Sequence, residues 1–330
     1  MNIIAVNIKQ GGGLTILQQI LYELNEKKIK CNIYVDYNFK TKNFIGNNLK
    51  FYKISGLFSK ISIYGKKLDN AFYLGNIPPY SFFGKNRVLF FQNMFILKDY
   101  GFLLREGMFK IILLKFYINF FINNVDKIFV ESNYVSKILK KNLNKDSTIA
   151  PIFDESIIKK KHKLKYDLCY IALPNPNKNF SLLFKSLRRI KEKNIDLKLA
   201  LTIPKNQNQL IKEIQSFNNS SIKIYNFGMV SRKNALKIID ESNALVFPSK
   251  IETFGLPLVE AALRQKIIIS SDLPYVFDVV RPSAVFNPED FISLENLILK
   301  SLENKLPLSK VIAKNKLESI LSNFDLETNE

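Results

Sequence analysis

Two carboxylates, Glu252 and Glu260, stand eight residues apart around the string Thr253-Phe254-Gly255-Leu256-Pro257-Leu258-Val259. The string joins an apolar turn, with Gly255 and Pro257, to a helical stretch, Glu260-Ala261-Ala262-Leu263. Ahead of it, Asn243-Ala244-Leu245-Val246-Phe247 reads as a buried strand. Strand, tight loop and helix leave free backbone N–H groups at the helix N-terminus, where they favour a phosphate. One acid lies before the loop and one after it, on either side of whatever the loop holds.

Alternating strands and helices must position this loop. Residues 2–8 form an apolar strand, Gly11-Gly12-Gly13 a glycine loop, and Leu14 to Lys28 a helix with Leu17, Ile20, Leu21 and Leu24 on one face. Cys31 to Val35 is the next strand, and weaker strands are predicted at 50–54, 71–74 and 88–91. A strand at 126–131 and a short helix at 133–141 follow, and the charged, irregular segment 154–165 suits a linker. A second alternation begins with strands at 167–172 and 197–203, helices at 179–193 and 207–217, and a strand at 222–225. It continues with a helix at 232–242, the strand ahead of the acidic loop, a helix at 258–264 and a strand at 267–270. The fold class is therefore α/β, with domains at 1–153 and 154–330 and a cleft between them. Ligands in such sheets bind beyond the carboxyl ends of strands. That singles out the loops at 9–13, 173–178 and 248–257.

A chain of 330 residues suits two domains of ordinary size, and 47% hydrophobic residues with a mean hydropathy near zero describe a soluble globular protein. The net charge is +20, and the first 150 residues carry 22 Lys and Arg against 9 Asp and Glu. Such a balance suits nucleic acid, an anionic membrane or phosphorylated substrates, or reflects a lysine- and asparagine-rich coding bias. Nucleic acid is disfavoured by the absence of an aromatic-basic RNA motif, a zinc finger or a helix-turn-helix signature. Cys31 and Cys169 lie in apolar strands and read as reduced core residues. The one histidine, His162, sits in the lysine-rich linker and reads as solvated. The start of the chain lacks a signal-peptide pattern, and no run of eighteen apolar residues occurs.

These residues resemble the retaining nucleotide-sugar glycosyltransferases of the GT-B fold, family 4, of the type that builds bacterial polysaccharide and lipopolysaccharide. Three stretches carry the resemblance: Phe227-Gly228-Met229-Val230-Ser231, the string from Val246 to Ala261, and Ser271-Asp272-Leu273-Pro274 followed by Asp278 and Phe286-Asn287-Pro288-Glu289-Asp290. It implies two Rossmann-like domains with parallel sheets, the first for the acceptor and the second for the nucleotide-sugar donor. By the same resemblance Glu260 accepts hydrogen bonds from ribose hydroxyls. Glu252 holds hydroxyls of the donor sugar, and Met229 and Val230 face the nucleobase. Thr253 and the N–H groups of Phe254, Gly255 and Leu256 reach the sugar or the diphosphate. Lys178 neutralises the leaving diphosphate, a charge that builds up as the glycosidic bond breaks. Gly12 and Gly13 belong to the family's first glycine loop, although a glycine run by itself reads equally as a flexible turn. Gln92 stands near the family's donor-contacting histidine, or simply caps a strand.

Departures from the pattern are plain. Ala172 and Leu173 occupy the usual Gly-Arg positions, and only five residues follow Asp325 where a final crossing helix is usual. That crossing is shortened, or performed by an earlier helix such as 310–322. No D-x-D triplet occurs, so the nucleotide-sugar is expected as co-substrate with neither metal nor other cofactor. The aromatic and lysine-rich stretch from Phe102 to Lys141 reads either as a core helix with a basic solvent face or as a contact for an anionic membrane. The expected setting is the cytoplasm, at the inner face of the cytoplasmic membrane if that contact forms. Competing readings are a nucleotide-sugar epimerase or hydrolase on the same fold, and an inactive partner subunit.

Overall fold

The computed structural model describes the chain except residues 42–43, 45, 95–96, 98–107, 157–161 and 328–330. Part of the stretch from Phe102, and part of the expected linker, therefore lie outside the described residues, as do the side chains of Phe109 and Lys110. The chain divides into two compact units: Met1–Asp154 with Asn315–Glu330, and Glu155–Lys314.

In chain order the first unit holds β1 (Asn2–Ala5), α1 (Gly11–Glu26), β2 (Cys31–Asp36), β3 (Leu49–Ile54), α2 (Leu57–Ile63), β4 (Ala71–Leu74), β5 (Arg87–Phe91), α3 (Met108–Phe121), β6 (Lys127–Val130), α4 (Asn133–Leu143) and β7 (Thr148–Ile149). The second holds β8 (Tyr166–Tyr170), α5 (Phe180–Glu192), β9 (Leu197–Leu201), α6 (Asn208–Gln215), β10 (Ile222–Asn226), α7 (Arg232–Asp240), β11 (Ser242–Phe247), α8 (Leu256–Leu263) and β12 (Ile267–Ser271). It ends with α9 (Pro274–Val279), β13 (Val280–Arg281), β14 (Ala284–Phe286), α10 (Phe291–Leu302) and β15 (Lys310–Val311); α11 (Leu317–Leu321) belongs to the first unit.

Each unit is built on a parallel sheet, ordered β3-β2-β1-β4-β5-β6-β7 in the first and β10-β9-β8-β11-β12-β14 in the second. The central strands are buried along nearly their whole length, as sheets covered on both faces require. Strand order reverses between β1 and β4 and between β8 and β11. At such a switch point the loops leave a crevice beyond the strand ends.

Helices form where apolar residues recur every three or four positions. α5 buries Phe180, Leu183, Phe184, Leu187 and Ile190 against its sheet. Side-chain oxygens cap several first turns: Ser132 accepts from Val135 N at the start of α4, and Asp290 accepts from Ile292 N and Ser293 N at the start of α10. No described helix is long and apolar enough to cross a membrane.

Three expectations change. The three glycines form the first turn of α1 rather than a loop ahead of it, and β1 stops at Ala5 instead of running to residue 8. The helix expected at 310–322 is confined to Leu317–Leu321. Lys310 and Val311 instead pair antiparallel with β13, and the N–H groups of Ile312 and Ala313 both donate to Val279 O, so this backbone is already committed to an extended segment. Leu317, Ile320, Leu321 and Phe324 then enter the core of the first unit beside Leu17, Leu21 and Phe72. Cys31 and Cys169 are free and buried, and burial pushes both thiols up to about 12.

Candidate active site

In the second unit the switch point carries the charged candidates. Lys178 follows β8 and Glu252 follows β11, and the lysine Nζ donates to Glu252 Oε1. Both side chains are mostly sheltered, at 17% and 15% exposure, so the pair is only partly screened by water. The same ammonium lies 5.9 Å from the centre of the Phe247 ring.

Buried polar side chains set this pairing. Asn177 Nδ2 donates to Ile251 O at 2.7 Å, and Asn177 O accepts from Lys250 N at 2.7 Å. The buried Asn177 therefore joins the loop after β8 to the loop after β11. A second brace runs through hydroxyls. Tyr170 donates to Lys178 O at 2.8 Å and stands 3.2 Å from Ser249 Oγ, which then donates to it. Tyr275 donates to Ser249 O at 2.8 Å. Burial holds the Tyr170 phenol well above its ordinary pKa, so it stays protonated and able to donate. Asn175 starts the turn by accepting from Asn177 N at 3.0 Å, and Asn179 ends it in the left-handed region at φ 53°.

The acidic loop itself has a local cause. Gly255 sits at φ 86°, and a Cβ there would stand 3.1 Å from Leu258 Cδ1, so both conformation and space select glycine. Pro257 lies in the first turn of α8, where its missing N–H costs nothing. Of the expected contacts, Glu252, Thr253, Gly255 and Leu256 are partly exposed, whereas the Phe254 side chain is buried at 1%. Phe254 could thus meet a ligand only through its backbone. Met229 is 68% exposed at the tip of the turn after β10, with Val230 beside it half-buried.

Glu260 is buried on α8, and Arg232 Nε lies 3.2 Å from its Oε1. The sequence reading did not single out Arg232. A signal was present: an arginine opening α7, followed by Lys233, places cations where the helix dipole opposes them. Such a residue calls for a carboxylate, and Glu260 supplies one. A buried pair, Arg264 Nε to Asp240 Oδ1 at 3.1 Å, ties the far ends of the same two helices together.

In the first unit the candidates are neutral. Gly13 and Gln92 come together: a Cβ on Gly13 would lie 3.6 Å from Gln92 Oε1 and 3.1 Å from Ile8 Cδ1. Gln92 N donates to the Oδ1 of Asn76, a residue at φ 76° just past β4 that the sequence reading passed over. Gly12 is exposed on the first turn of α1. These residues gather at the β1/β4 switch point. His162 is exposed.

Comparison with known proteins bears on the family and the fold. A family model described as glycosyl transferases group 1 matches residues 153–318, just over half of the chain. No curated protein matches the chain by sequence. Among solved structures, the Anabaena HepE structure in complex with UDP and glucose has a TM-score of 0.65 at 12% identity, covering 92% of this chain and 90% of that one. Sucrose-phosphate synthase from Thermosynechococcus elongatus gives 0.71 at 14% identity, covering 98% and 94%. WaaG, a glycosyltransferase involved in lipopolysaccharide biosynthesis, gives 0.64 at 12% identity, covering 91% and 90%. At such identities the likeness is one of fold, and the fold is GT-B.

Proposed function

The chain belongs to the group 1 glycosyltransferases, and on that premise we propose that it moves a sugar from a nucleotide-sugar donor to a glycan or lipid-linked glycan. The proposed reaction retains anomeric configuration, uses no metal, and serves bacterial surface polysaccharide or lipopolysaccharide biosynthesis. One observation carries the reading: a lysine and a carboxylate from two loops of one switch point are held together by buried asparagine and tyrosine side chains. A cation fixed before the substrate arrives stabilises a developing diphosphate charge without reorganising.

Within this proposal the donor diphosphate takes over the ammonium of Lys178. Glu252, released from the lysine, accepts hydrogen bonds from donor-sugar hydroxyls. Glu260 accepts from the ribose, and Arg232 acts as a positioning residue that fixes the orientation of that carboxylate. Thr253 and the N–H groups of Phe254, Gly255 and Leu256 contact the sugar or the diphosphate, and Met229 and Val230 border the base. The first unit is assigned the acceptor, with Gly12, Gly13 and Gln92 contacting sugar. Support for a nucleotide-sugar comes from the HepE structure with UDP and glucose, and support for a surface glycan from the described role of WaaG. The leaving phosphate assists deprotonation of the acceptor hydroxyl, so the bond to the new oxygen forms on the face from which the diphosphate departs.

The test is a thermal-shift panel of nucleoside diphosphates and nucleotide-sugars, with uridine compounds first. A true donor raises the melting temperature by mass action. The shift should shrink both in Lys178→Ala, which loses its diphosphate contact, and in Glu260→Ala, which loses its ribose contact. No shift with any nucleotide compound would end the reading. Donor consumed equally fast with and without acceptor would replace transferase by hydrolase.

A further inference from the structure

α7 follows β10 and α8 follows β11, and both crossovers step toward the β14 edge. The right-handed rule for parallel crossovers therefore lays the two helices on one face of the second sheet. Glu260 stands on α8, so the place of its carboxylate depends on how far α8 slides and turns against α7. Apolar packing settles this poorly. α8 is 8 residues long, no side chain caps its start, and it buries Leu258, Val259, Ala261 and Ala262 beside Glu260. Burial of apolar side chains is non-directional, and two adjoining alanines offer α7 little to interlock with.

Ion pairs supply the direction. Arg232 at the start of α7 lies 3.2 Å from Glu260, and Asp240 at its end lies 3.1 Å from Arg264, just past the end of α8. The signs alternate: cation then anion along α7, anion then cation along α8. A slide of α8 by one turn toward the start of α7 would carry Arg264 toward Arg232 and away from Asp240. Both changes are unfavourable, and little water is present to screen them.

The Asp240–Arg264 pair is the more deeply set, with both side chains 4% exposed. Arg264 Nη1 also donates to Glu260 O at 3.2 Å, so one guanidinium touches Asp240 and the backbone of Glu260. Two residues on, the buried Lys266 donates to Asp240 O and Ser242 O, both at 2.7 Å, and so closes the C-terminal end of α7. Between the two cations Gln265 takes the left-handed region at φ 54°, a conformation that favours glycine. The link from α8 to β12 is thus held against α7 by a buried cation on either side of a disfavoured backbone. Asp240, Arg264 and Lys266 lie at the opposite end of α8 from the acidic loop, and they act on a ligand only through the helix.

We propose that Asp240, Arg264 and Lys266 form a positioning cluster that fixes the register of α8 against α7, and with it the place of the Glu260 carboxylate. These buried charges then set how strongly the site selects a ribose over a sugar that lacks its hydroxyls. The inference deepens the proposed function and rests on its assignment of Glu260 to the ribose.

The test is the affinity ratio of a ribonucleoside diphosphate to its 2′,3′-dideoxy analogue, measured by calorimetry on the full chain. The base is the one that gives the largest thermal shift among uridine, guanosine, adenosine and cytidine diphosphates. Wild type should prefer the ribose form about tenfold or more, because a carboxylate loses its hydrogen-bond donors in the analogue. Glu260→Ala should erase that preference. Asp240→Asn and Arg264→Met should each cut it about threefold or more, and raise donor KM with kcat little changed. Each single change strands a buried charge and should also lower the melting temperature. Asp240→Leu with Arg264→Met replaces the pair by apolar side chains. It should regain most of the melting temperature and still lack the ribose preference, because apolar contact does not fix the register. A double variant with the wild-type ratio and wild-type KM would overturn the inference and leave the cluster a role in stability alone. So would single variants that weaken both nucleotides equally. If wild type binds nucleotide without preferring ribose, or Glu260→Ala keeps the preference, Glu260 is removed from the ribose and the role of the cluster goes with it. If Glu260→Ala loses the preference and the Asp240 and Arg264 variants keep it, only the cluster falls.

Discussion

The two switch points of this molecule share a backbone plan and differ in chemistry. In the second unit a lysine and a carboxylate meet across two loops locked by Asn177, Tyr170 and Tyr275. In the first, a glycine helix turn, an asparagine and a glutamine meet through neutral contacts. A parallel sheet supplies a crevice in either case, but only buried hydrogen-bond partners fix long charged side chains in it. The lesson is that the topology places the site, and the braces under the loops decide whether it can carry charge chemistry.

The largest expected effect lies in the charged crevice. Lys178→Ala and Glu252→Ala should each lower kcat by about 10²–10³-fold, while Gln92→Ala in the neutral crevice should lower it by less than about tenfold. Steady-state kinetics with the donor found by thermal shift checks both. Equal losses in the two units would erase the contrast between the charged and the neutral crevice.

The braces come next. Asn177→Ala leaves Ile251 O without its buried donor and should cost about 1–3 kcal/mol, read as a lower melting temperature together with reduced kcat. Unchanged kcat would show that the loops keep their places without it.

A buried carboxylate in each unit holds helices by charge and gives both units an acid response. Glu295, 1% exposed on α10, accepts from Arg189 and Lys193. Burial pushes its pKa up, but those two cations outweigh it, and the group lies below its ordinary value. Asp36 is likewise held low, mainly by its hydrogen bond from Lys60 on α2. Both folded-state values lie below the unfolded ones. Their stabilisation is therefore complete above the ordinary carboxylate range and is lost as pH falls through the folded-state values. Glu295→Gln should cost about 1–2 kcal/mol at neutral pH, since its cations are nearly half exposed, and its deficit against wild type should vanish in acid. Asp36→Asn should behave the same way and loosen α2. A deficit that does not change with pH would show that packing, not charge, holds these helices.

The smallest effect concerns Arg232. Arg232→Met should raise donor KM several-fold to about tenfold with kcat little changed, and Arg232→Lys should restore part of it. A change in kcat alone would remove Arg232 as a positioning residue for Glu260.

Much of this was legible along the chain because it is local. The strands and helices from β8 to β12 follow from apolar periodicity, and the acidic loop follows from Gly255 and Pro257, whose backbone preferences act within one turn. Other elements were not legible. α2, with no strong periodicity over seven residues, went unread, and the glycines of α1 look like a loop because glycine is the residue that least commits its backbone. The segment at 310–316 resembled a helix until Val279 and β13 took up its backbone groups.

By itself the sequence determined the alternation of elements, the two acids and their loop, and the excess of positive charge, since each depends on neighbours a few residues apart. Only the tertiary structure decided that Lys178 meets Glu252, that Arg232 meets Glu260, and that a row of phenylalanines faces water instead of the core. Those outcomes depend on which strands lie side by side and which face each crossover helix covers. Parallel pairing joins residues dozens of positions apart, and no local preference encodes that arrangement.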